Sequence, residues 1–530
     1  MKKHSKQSLT QNTVLGVISI RIKSVKLENK LKNILFTYKH FENILLILIN
    51  QNYNLYKEGR DVNDFNLLTS PQIVRNALYD YNSKHSEQVE YIKNKYRDNK
   101  LWQELKETAK KLKPHNLTYI IKRIKASFKT YFTNLKTYKQ NPSLFTVIPK
   151  PPKPKKLSKI TSYSIELDKY TSLSFARLEK ENLIGINLLK NREHIYIDKK
   201  QIEKLTKIDR LYSARLVYDN GYLYLQISYL KKLNKTEKDK IKYAGIDIGI
   251  NNLMAVFIDD ENTPSLIVDG KPFKQYNTKL NKLVAKLNES KSKEIVEWAV
   301  SKSGNKYPAK YTEKGRKIGK LISFLYSKRN RFFHDQFHKM AKRVVEYLHL
   351  HGITDLFISK NLAELKNNGE CNLNKSTKQN FIQIPIMKLL QNIEYKAQEY
   401  GINVHYIDER YTSKASCISD DIKGIQESPD LTNAFNGKRV NRGLFLDVVI
   451  NKVLNADING AVNHIKVSVG KSFEWLKDKL FKLCNPIKIK SDYEFCRLLK
   501  SLWNSVSGKS VSFSTEASQS NRLVKNFSFC

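Results

Sequence analysis

The stretch Tyr243-Ala-Gly-Ile-Asp-Ile-Gly-Ile-Asn-Asn-Leu-Met-Ala-Val-Phe-Ile258 reads as two β-strands joined by a turn at Asn251-Asn252, with Asp247 in the middle of the first. Isoleucines stand on both sides of Asp247. An ionised carboxylate in such surroundings is costly unless a cation or a hydrogen-bond donor compensates it. Two roles fit: a cap for the nearby turn, or a metal ligand. Gly245 and Gly249 flank Asp247 and leave room for a ligand to approach, which favours the metal.

Working outward, Asp355-Leu-Phe-Ile-Ser359 reads as another strand. A helix follows over Pro385–Gly401, with Ile386, Leu389, Leu390, Ile393 and Ala397 on one face, proline at its start and glycine at its end. The next strand, Ile402–Ile407, runs directly into Asp408-Glu409. A strand–helix–strand unit of this kind is parallel and right-handed, so both strands end on the same sheet edge, where carboxylates are well placed for a site. Finally, Asn455-Ala-Asp-Ile-Asn-Gly-Ala-Val-Asn-His-Ile465 is a helix of small residues whose Asp457 can approach a sheet closely. Asp247 in mid-strand, Glu409 at a strand end and Asp457 on a helix form the acid set of an RNase-H-like fold. Such acids hold two divalent ions for in-line phosphodiester hydrolysis, and Mg2+ suits oxygen-only ligands.

Upstream, Val14–Lys23 alternates as a strand, and residues from about 25 to 138 carry apolar side chains at helical spacing with lysines outside. Pro149-Lys-Pro-Pro-Lys-Pro-Lys-Lys156 is a stiff, extended, basic connector. It is either an inert linker or a segment whose Lys150, Lys153, Lys155 and Lys156 contact phosphates. Residues 160–231 read as β, with Asn220-Gly221 between Tyr212–Tyr218 and Tyr222–Tyr229 as a hairpin turn. With the early strand, this predicts a small β-barrel interrupted by the helical unit. The tail Ser505–Asn526 is serine-rich and expected to be disordered.

The 530 residues carry 94 Lys+Arg against 51 Asp+Glu, a formal charge of +43. That much like charge in a compact protein calls for a polyanion, and the 29 Tyr and 23 Phe can supply base-stacking surfaces as well as core. The longest apolar run, Ile44–Ile49, is far short of the ~20 residues that cross a bilayer, and Met1–Thr13 is basic with no apolar signal region. The expectation is a cytosolic, nucleic-acid-binding protein with no membrane partner. Cys371, Cys417, Cys484, Cys496 and Cys530 form no Cys-x-x-Cys pair, which argues against disulfides and a cysteine zinc site.

Six stretches carry a family resemblance: Gly245-Ile-Asp-Ile-Gly-Ile-Asn-Asn-Leu253, Ile358-Ser-Lys-Asn361, Asn380-Phe-Ile-Gln-Ile-Pro385, Tyr411-Thr-Ser-Lys-Ala-Ser416, Gly437-Lys-Arg439 with Arg442-Gly443, and Asn455-Ala-Asp-Ile-Asn-Gly-Ala461. In these the chain resembles the transposon-associated TnpB proteins, relatives of compact type V CRISPR nucleases and of Fanzor proteins. The resemblance is strong from about 242 to 466; the first 140 residues match only in general layout. It implies an RNA-guided DNA endonuclease of the bacterial or archaeal cytosol or nucleoid, with guide RNA and double-stranded target DNA as partners. The implied fold is multidomain α+β. A β-barrel wedge domain (1–24 and 141–241, with the connector at 149–159) holds an inserted helical recognition domain (25–140). A split RuvC-like, RNase-H-like α/β nuclease domain (242–468) has a helical insertion at about 274–350, and 469–530 is a partly disordered extension. Lys438, Arg439 and Arg442 join the connector lysines as expected nucleic-acid contacts.

The chain departs from the commonest family pattern twice. The strand position that usually carries the catalytic Glu is Ser359. A subgroup instead places it before the Thr-Ser motif, where Glu409 stands. Side-chain parity does not choose between Asp408 and Glu409, and the family match selects Glu409; Glu364 is the other acid that could fill the vacancy. The family's Cys-x-x-Cys falls on Ser416 and Ser419, so no zinc is expected, and Cys417 is a packed or exposed thiol. The expected catalytic and metal-binding set is Asp247, Glu409 and Asp457 with two Mg2+ ions. The alternatives are a nuclease-inactive RNA-guided DNA-binding protein and an RNA-independent RNase-H-like transposase.

Overall fold

The computed structural model describes residues 13–57, 63–81, 86–145, 147–168, 170–188, 191–206, 210–219, 221–232, 241–300, 304–359, 383–428, 435–470 and 472–507. Glu364, Asn361, Asn220 and most of the serine-rich tail lie outside the described residues. The chain divides into two compact units, residues 1–232 and 233–530.

In the first unit, β1 (Thr13–Arg21) alternates inward and outward side chains along its length. It is followed by helices from α1 (Val25–Lys57) to α2 (Pro114–Gln140). Leu31, Leu35, Tyr38, Phe41, Leu45 and Leu48 of α1 are fully buried, as their 3–4 spacing requires. Strands β2 (Ser162–Leu167), β3 (Arg210–Asp219) and β4 (Tyr222–Lys232) complete an antiparallel sheet of order β1-β4-β3-β2. The β3–β4 hairpin closes with Asp219 opposite Tyr222 and Gly221 at φ +96°, a conformation glycine adopts without steric penalty.

The expected barrel does not close: among the described residues this sheet is open. The intervening short strands, Leu173–Ser174, Leu183–Ile186 and Glu193–Tyr196, pair with one another in a separate sheet. The free edge of β2 is occupied by α2: the Arg123 guanidinium donates to the Ser164 carbonyl at 2.6 Å, and to Glu42 (2.7 Å) and the Tyr163 hydroxyl (2.9 Å). A helix covering an edge strand removes the template on which a barrel would close.

The second unit is built on a six-stranded mixed sheet. Its strands are β5 (Tyr243–Ile248), β6 (Asn252–Ile258), β7 (Leu266–Asp269), β8 (Asp355–Ser359), β9 (Asn403–Ile407) and β13 (Ile487–Ile489), in the order β9-β8-β5-β6-β7-β13. Strand β6 runs antiparallel to both of its neighbours, β5 and β7, while β5, β8 and β9 run parallel. The region between β7 and β8 holds α3 (Lys271–Ser292) and α4 (Glu313–Leu350), with an antiparallel hairpin, Ile295–Val300 against Lys306–Tyr311, between them. Helix α5 (Ile386–Glu399) makes the β8–β9 crossover. Beyond β9, β10 (Gly437–Asn441), β11 (Leu444–Asp447) and β12 (Lys452–Asn455) form a small antiparallel sheet leading into α6 (Ala456–Val469), and α7 (Asp492–Ser507) ends the described chain.

The central sheet is buried on both faces. Ala244, Ile246, Ile248, Val256, Leu356 and Ile358 pack with α4, α5 and α7. Ala255, Phe257, Ile267 and Phe357 pack with Ala461, Val462 and Ile465 of α6. Side chains alternate along β5, so Ile246 and Ile248 enter the first core while Gly245 and Asp247 face α6.

Candidate metal centre

Helix α6 lies unusually close to β5. A methyl group on Gly245 would fall 1.9 Å from the Ala461 carbonyl oxygen, and one on Gly460 would stand 3.0 Å from Asp247 Oδ2. The glycine beside Asp247 therefore admits the backbone of α6 rather than a ligand, which corrects the reading drawn from its position alone. The consequence is that Asp247 is pressed between strand and helix. Burial pushes its carboxyl well above the usual carboxylate range, the negative charges of Asp457 and Glu409 push the same way, and Arg439 opposes them.

Glu409 reaches this point from two residues beyond β9. Ser359 pairs with Ile407 across β8–β9, and Ile358 pairs with Ile246 across β8–β5, so buried Ser359 stands level with Asp247 where the family pattern expects Glu. After Ile407 the chain turns sharply: the Glu409 carbonyl accepts from the Thr412 amide (3.2 Å) and hydroxyl (3.0 Å), and Tyr411 sits at φ +63°. The loop is clamped by the second face of α6. Asn459 accepts from the Cys417 amide (2.8 Å) and donates to Ala415 (2.8 Å); Asn463 donates to the carbonyls of Thr412 and Ala415 (2.9 Å each). The Lys466 ammonium donates to the carbonyls of Cys417 (3.0 Å) and Asp420 (2.7 Å). One helix thus sets the positions of both Asp247 and Glu409.

The adjacent acid behaves differently. Asp408 is exposed and accepts from the Arg410 amide at 3.0 Å and its Nε at 2.6 Å.

A carboxylate oxygen of Asp247, one of Glu409 and a ring nitrogen of His464 lie within 4.8 Å of one another. Asp457 is not in this group. It sits in the first turn of α6, where the Asn455 side chain caps the helix by accepting from the amides of Asp457 and Ile458 (3.1 Å each). Its Oδ2 accepts from Asn252 at 2.6 Å and its Oδ1 is 3.8 Å from Arg439. Arg442, at the β10–β11 hairpin turn, donates through Nη2 and Nε to the Asn251 side-chain oxygen (2.6 and 2.9 Å) when that amide is oriented to accept. Lys438 and Arg439 are exposed on β10. Lys150, Lys153, Lys155 and Lys156 are exposed in the first unit.

His464 is the member that reading the sequence missed. It is fully buried, its Nδ1 lies 3.0 Å from the Ile246 carbonyl, and burial pushes its pKa down to about 4. The signal was present: Asp457, Gly460 and His464 follow one another at i, i+3 and i+7, one face of a helix.

Ser416 and Ser419 both donate to Asp447, Ser419 at 2.7 Å. Cys417 is buried, and burial pushes its thiol up to about 12.

Residues 226–364 match the family OrfB_IS605, described as “Probable transposase”, and residues 387–464 match the family “Cas12f1-like, TNB domain”. The TnpB-like protein ORF457 of Acidianus two-tailed virus is 27% identical over 231 residues, 43% of this chain. The match spans 42% of that relative's length. Among solved structures, a Cas12f1–sgRNA–target DNA complex is 13% identical with a TM-score of 0.28, covering 85% of this chain and 98% of that one. A CRISPR–Cas12f ternary complex is 12% identical with a TM-score of 0.30, covering 84% and 98%. At such scores the superpositions add nothing to the fold already described. The sequence matches, which cover the strands and helix of the acid cluster, are those of a chain similar to the TnpB-type family over that region.

Proposed function

We propose that this protein is an RNA-guided DNA endonuclease that hydrolyses phosphodiesters at one RuvC-like site built from Asp247, Glu409 and Asp457. The observation that carries this reading is the crowding of acids on Asp247: a half-buried carboxylate held against α6, sharing its surroundings with Glu409 and under the charge of Asp457. Like charges so placed are unfavourable unless a cation joins them. The three carboxylates therefore fit divalent ions, with Asp247 and Glu409 in one group and Asp457 on its other side, and their oxygen donors are compatible with Mg2+. The sheet order, three antiparallel strands followed by two parallel ones, agrees with an RNase-H-like domain.

When bound, such ions supply an activated water and charge stabilisation for the leaving oxygen. The residues' own contributions can be stated separately. Asp247 and Glu409 face one another from a strand and a clamped loop, so neither must reorganise to bind. Asn252 orients Asp457 through its amide. Arg439 stands beside Asp457, and Arg442 is held by Asn251, so the β10–β11 hairpin brings cationic groups to the rim where a phosphate chain would lie. The connector lysines and the overall charge serve binding to guide RNA and target DNA.

The test is cleavage of double-stranded DNA by protein purified with its co-expressed RNA. Sequencing that RNA identifies the guide, and a target matching it is then supplied with divalent metal. Cutting that disappears with RNase treatment or with Asp247→Ala supports the reading. Guided binding without any cutting would instead identify a nuclease-inactive binder, and RNA-independent strand cleavage would identify a transposase.

A further inference from the structure

We infer that His464 is a nitrogen ligand of the same metal centre and that the site consequently selects Mn2+ over Mg2+. The inference rests on reading Asp247 and Glu409 as metal holders, and adds a donor of different chemistry. The ring of His464 is wholly buried, yet its Nε2 has no hydrogen-bond partner. Its Nδ1 faces the carbonyl of Ile246, which can only accept, so in the neutral ring the hydrogen is on Nδ1 and Nε2 carries the lone pair. A ligating histidine is commonly held in this way, its far N–H anchored by a backbone carbonyl so that tautomer and ring direction are fixed. The anchoring carbonyl belongs to the residue immediately before Asp247.

The helix repeats the argument. Gly460 lies against Asp247, and Asp457 and His464 stand about one turn to either side of it on the same face. Asp247 is thereby bracketed by a carboxylate and an imidazole. If position 464 served packing alone, an aliphatic residue would suit it, for its neighbours Ala461, Val462 and Ile465 pack in the apolar core under the sheet. A buried, unpartnered ring nitrogen instead carries a desolvation penalty, which a metal bond would offset. Mg2+ strongly prefers oxygen, whereas Mn2+ accepts imidazole as well as carboxylate.

Full-length protein carrying one equivalent of Mn2+ should show 14N coupling in pulsed electron paramagnetic resonance, replaced by 15N coupling when histidine alone is isotopically labelled. His464→Gln should abolish that coupling and lower the Mn2+-over-Mg2+ affinity ratio by about tenfold or more. Bound Mn2+ without histidine coupling, or coupling that survives in His464→Gln, overturns the inference. The labelled wild-type spectrum decides the matter even if the variant fails to fold. Asp247→Asn separates the two levels: full Mn2+ affinity in that variant overturns the underlying metal site, whereas its loss beside an uncoupled wild-type spectrum overturns the histidine alone.

Discussion

Asp247 and Asp447 are both enclosed acids in the second unit, and their surroundings are opposite. Asp447, at the end of β11, is fully buried and every partner is a donor. Its carboxylate accepts from the hydroxyls of Ser416 and Ser419 and from the amides of Val449 (2.9 Å) and Ile450 (3.1 Å). The Ser416 oxygen in turn accepts from the amides of Ile418 (3.1 Å) and Ser419 (3.2 Å). Asp247 has acids and a buried imidazole for neighbours, and its surroundings disfavour its charge. The first arrangement is complete without a ligand. The second crowds like charges, with Arg439 and the Ile248 amide opposing them. Burial of an acid is therefore uninformative about function until its partners are counted.

The largest expected effect separates the two through activity. Asp247→Asn should reduce DNA cleavage by about a thousandfold or more, the scale on which electrostatic machinery at a reacting centre is lost. The same change should leave the thermal midpoint unchanged or raise it, because it removes a half-buried charge that repels its neighbours. Glu409→Gln should match it in cleavage, while Asp408→Asn should keep most activity, since Asp408 is already committed to Arg410. Equal loss in all three, measured on one guide and target, would erase the distinction between the two strand-end acids.

The next effect is on stability. Asp447→Ala strands two hydroxyls and two amides, each at about 1–3 kcal/mol when left unmet. We expect at least about 3 kcal/mol of destabilisation of the second unit in denaturant melts, with Asp447→Asn losing less because one acceptor survives. The knot stands where the family's zinc ligands are expected, so elemental analysis should find no stoichiometric zinc. One zinc per chain would mean that other residues hold the loop.

These two acids also mark how far the sequence could be read. The β5 stretch, the β8–α5–β9 crossover and α6 were legible because each carries a periodicity and an end signal: Pro385 before α5, Gly401 at φ +65° after it, and Asn455 capping α6. Bringing Glu409 toward Asp247 followed from parallel strands ending on one edge. The Asp447 knot was invisible because its hydroxyl donors lie 28 and 31 residues away along the chain, and no local pattern announces that Ser416 and Ser419 will share an acceptor. His464 was hidden for another reason, since in a helix of small and apolar residues its position reads as core. Barrel closure failed as an expectation because closure is a property of edges, and the edge of β2 is settled by Arg123, 39 or more residues upstream on a different element.

The smallest expected effect extends the contrast between satisfied and unsatisfied groups to the connector of the first unit. Its backbone is pinned at two points: Asn43 donates to the Lys155 carbonyl (2.8 Å) and accepts from its amide (3.1 Å), and Asn50 donates to the Pro152 carbonyl (2.8 Å). These two asparagines are seven residues apart on α1, two turns on one face, so the connector is laid along the helix. Its lysines remain exposed. Charge and placement can thus be removed separately. Replacing Lys150, Lys153, Lys155 and Lys156 with Ser should weaken RNA binding and reduce the slope of log affinity against log salt by about 0.7–0.9 for each lysine that touches a phosphate. Asn43→Ala removes no charge. It frees the connector from α1 for the loss of hydrogen bonds worth about 1 kcal/mol each, so affinity should fall only about fivefold per bond while the salt slope stays at the wild-type value. If Asn43→Ala flattens the slope as the four-lysine variant does, the lysines reach phosphate only from the pinned conformation. If the four-lysine variant changes neither affinity nor slope, the connector is a linker, and its binding role must pass to other parts of the basic surface.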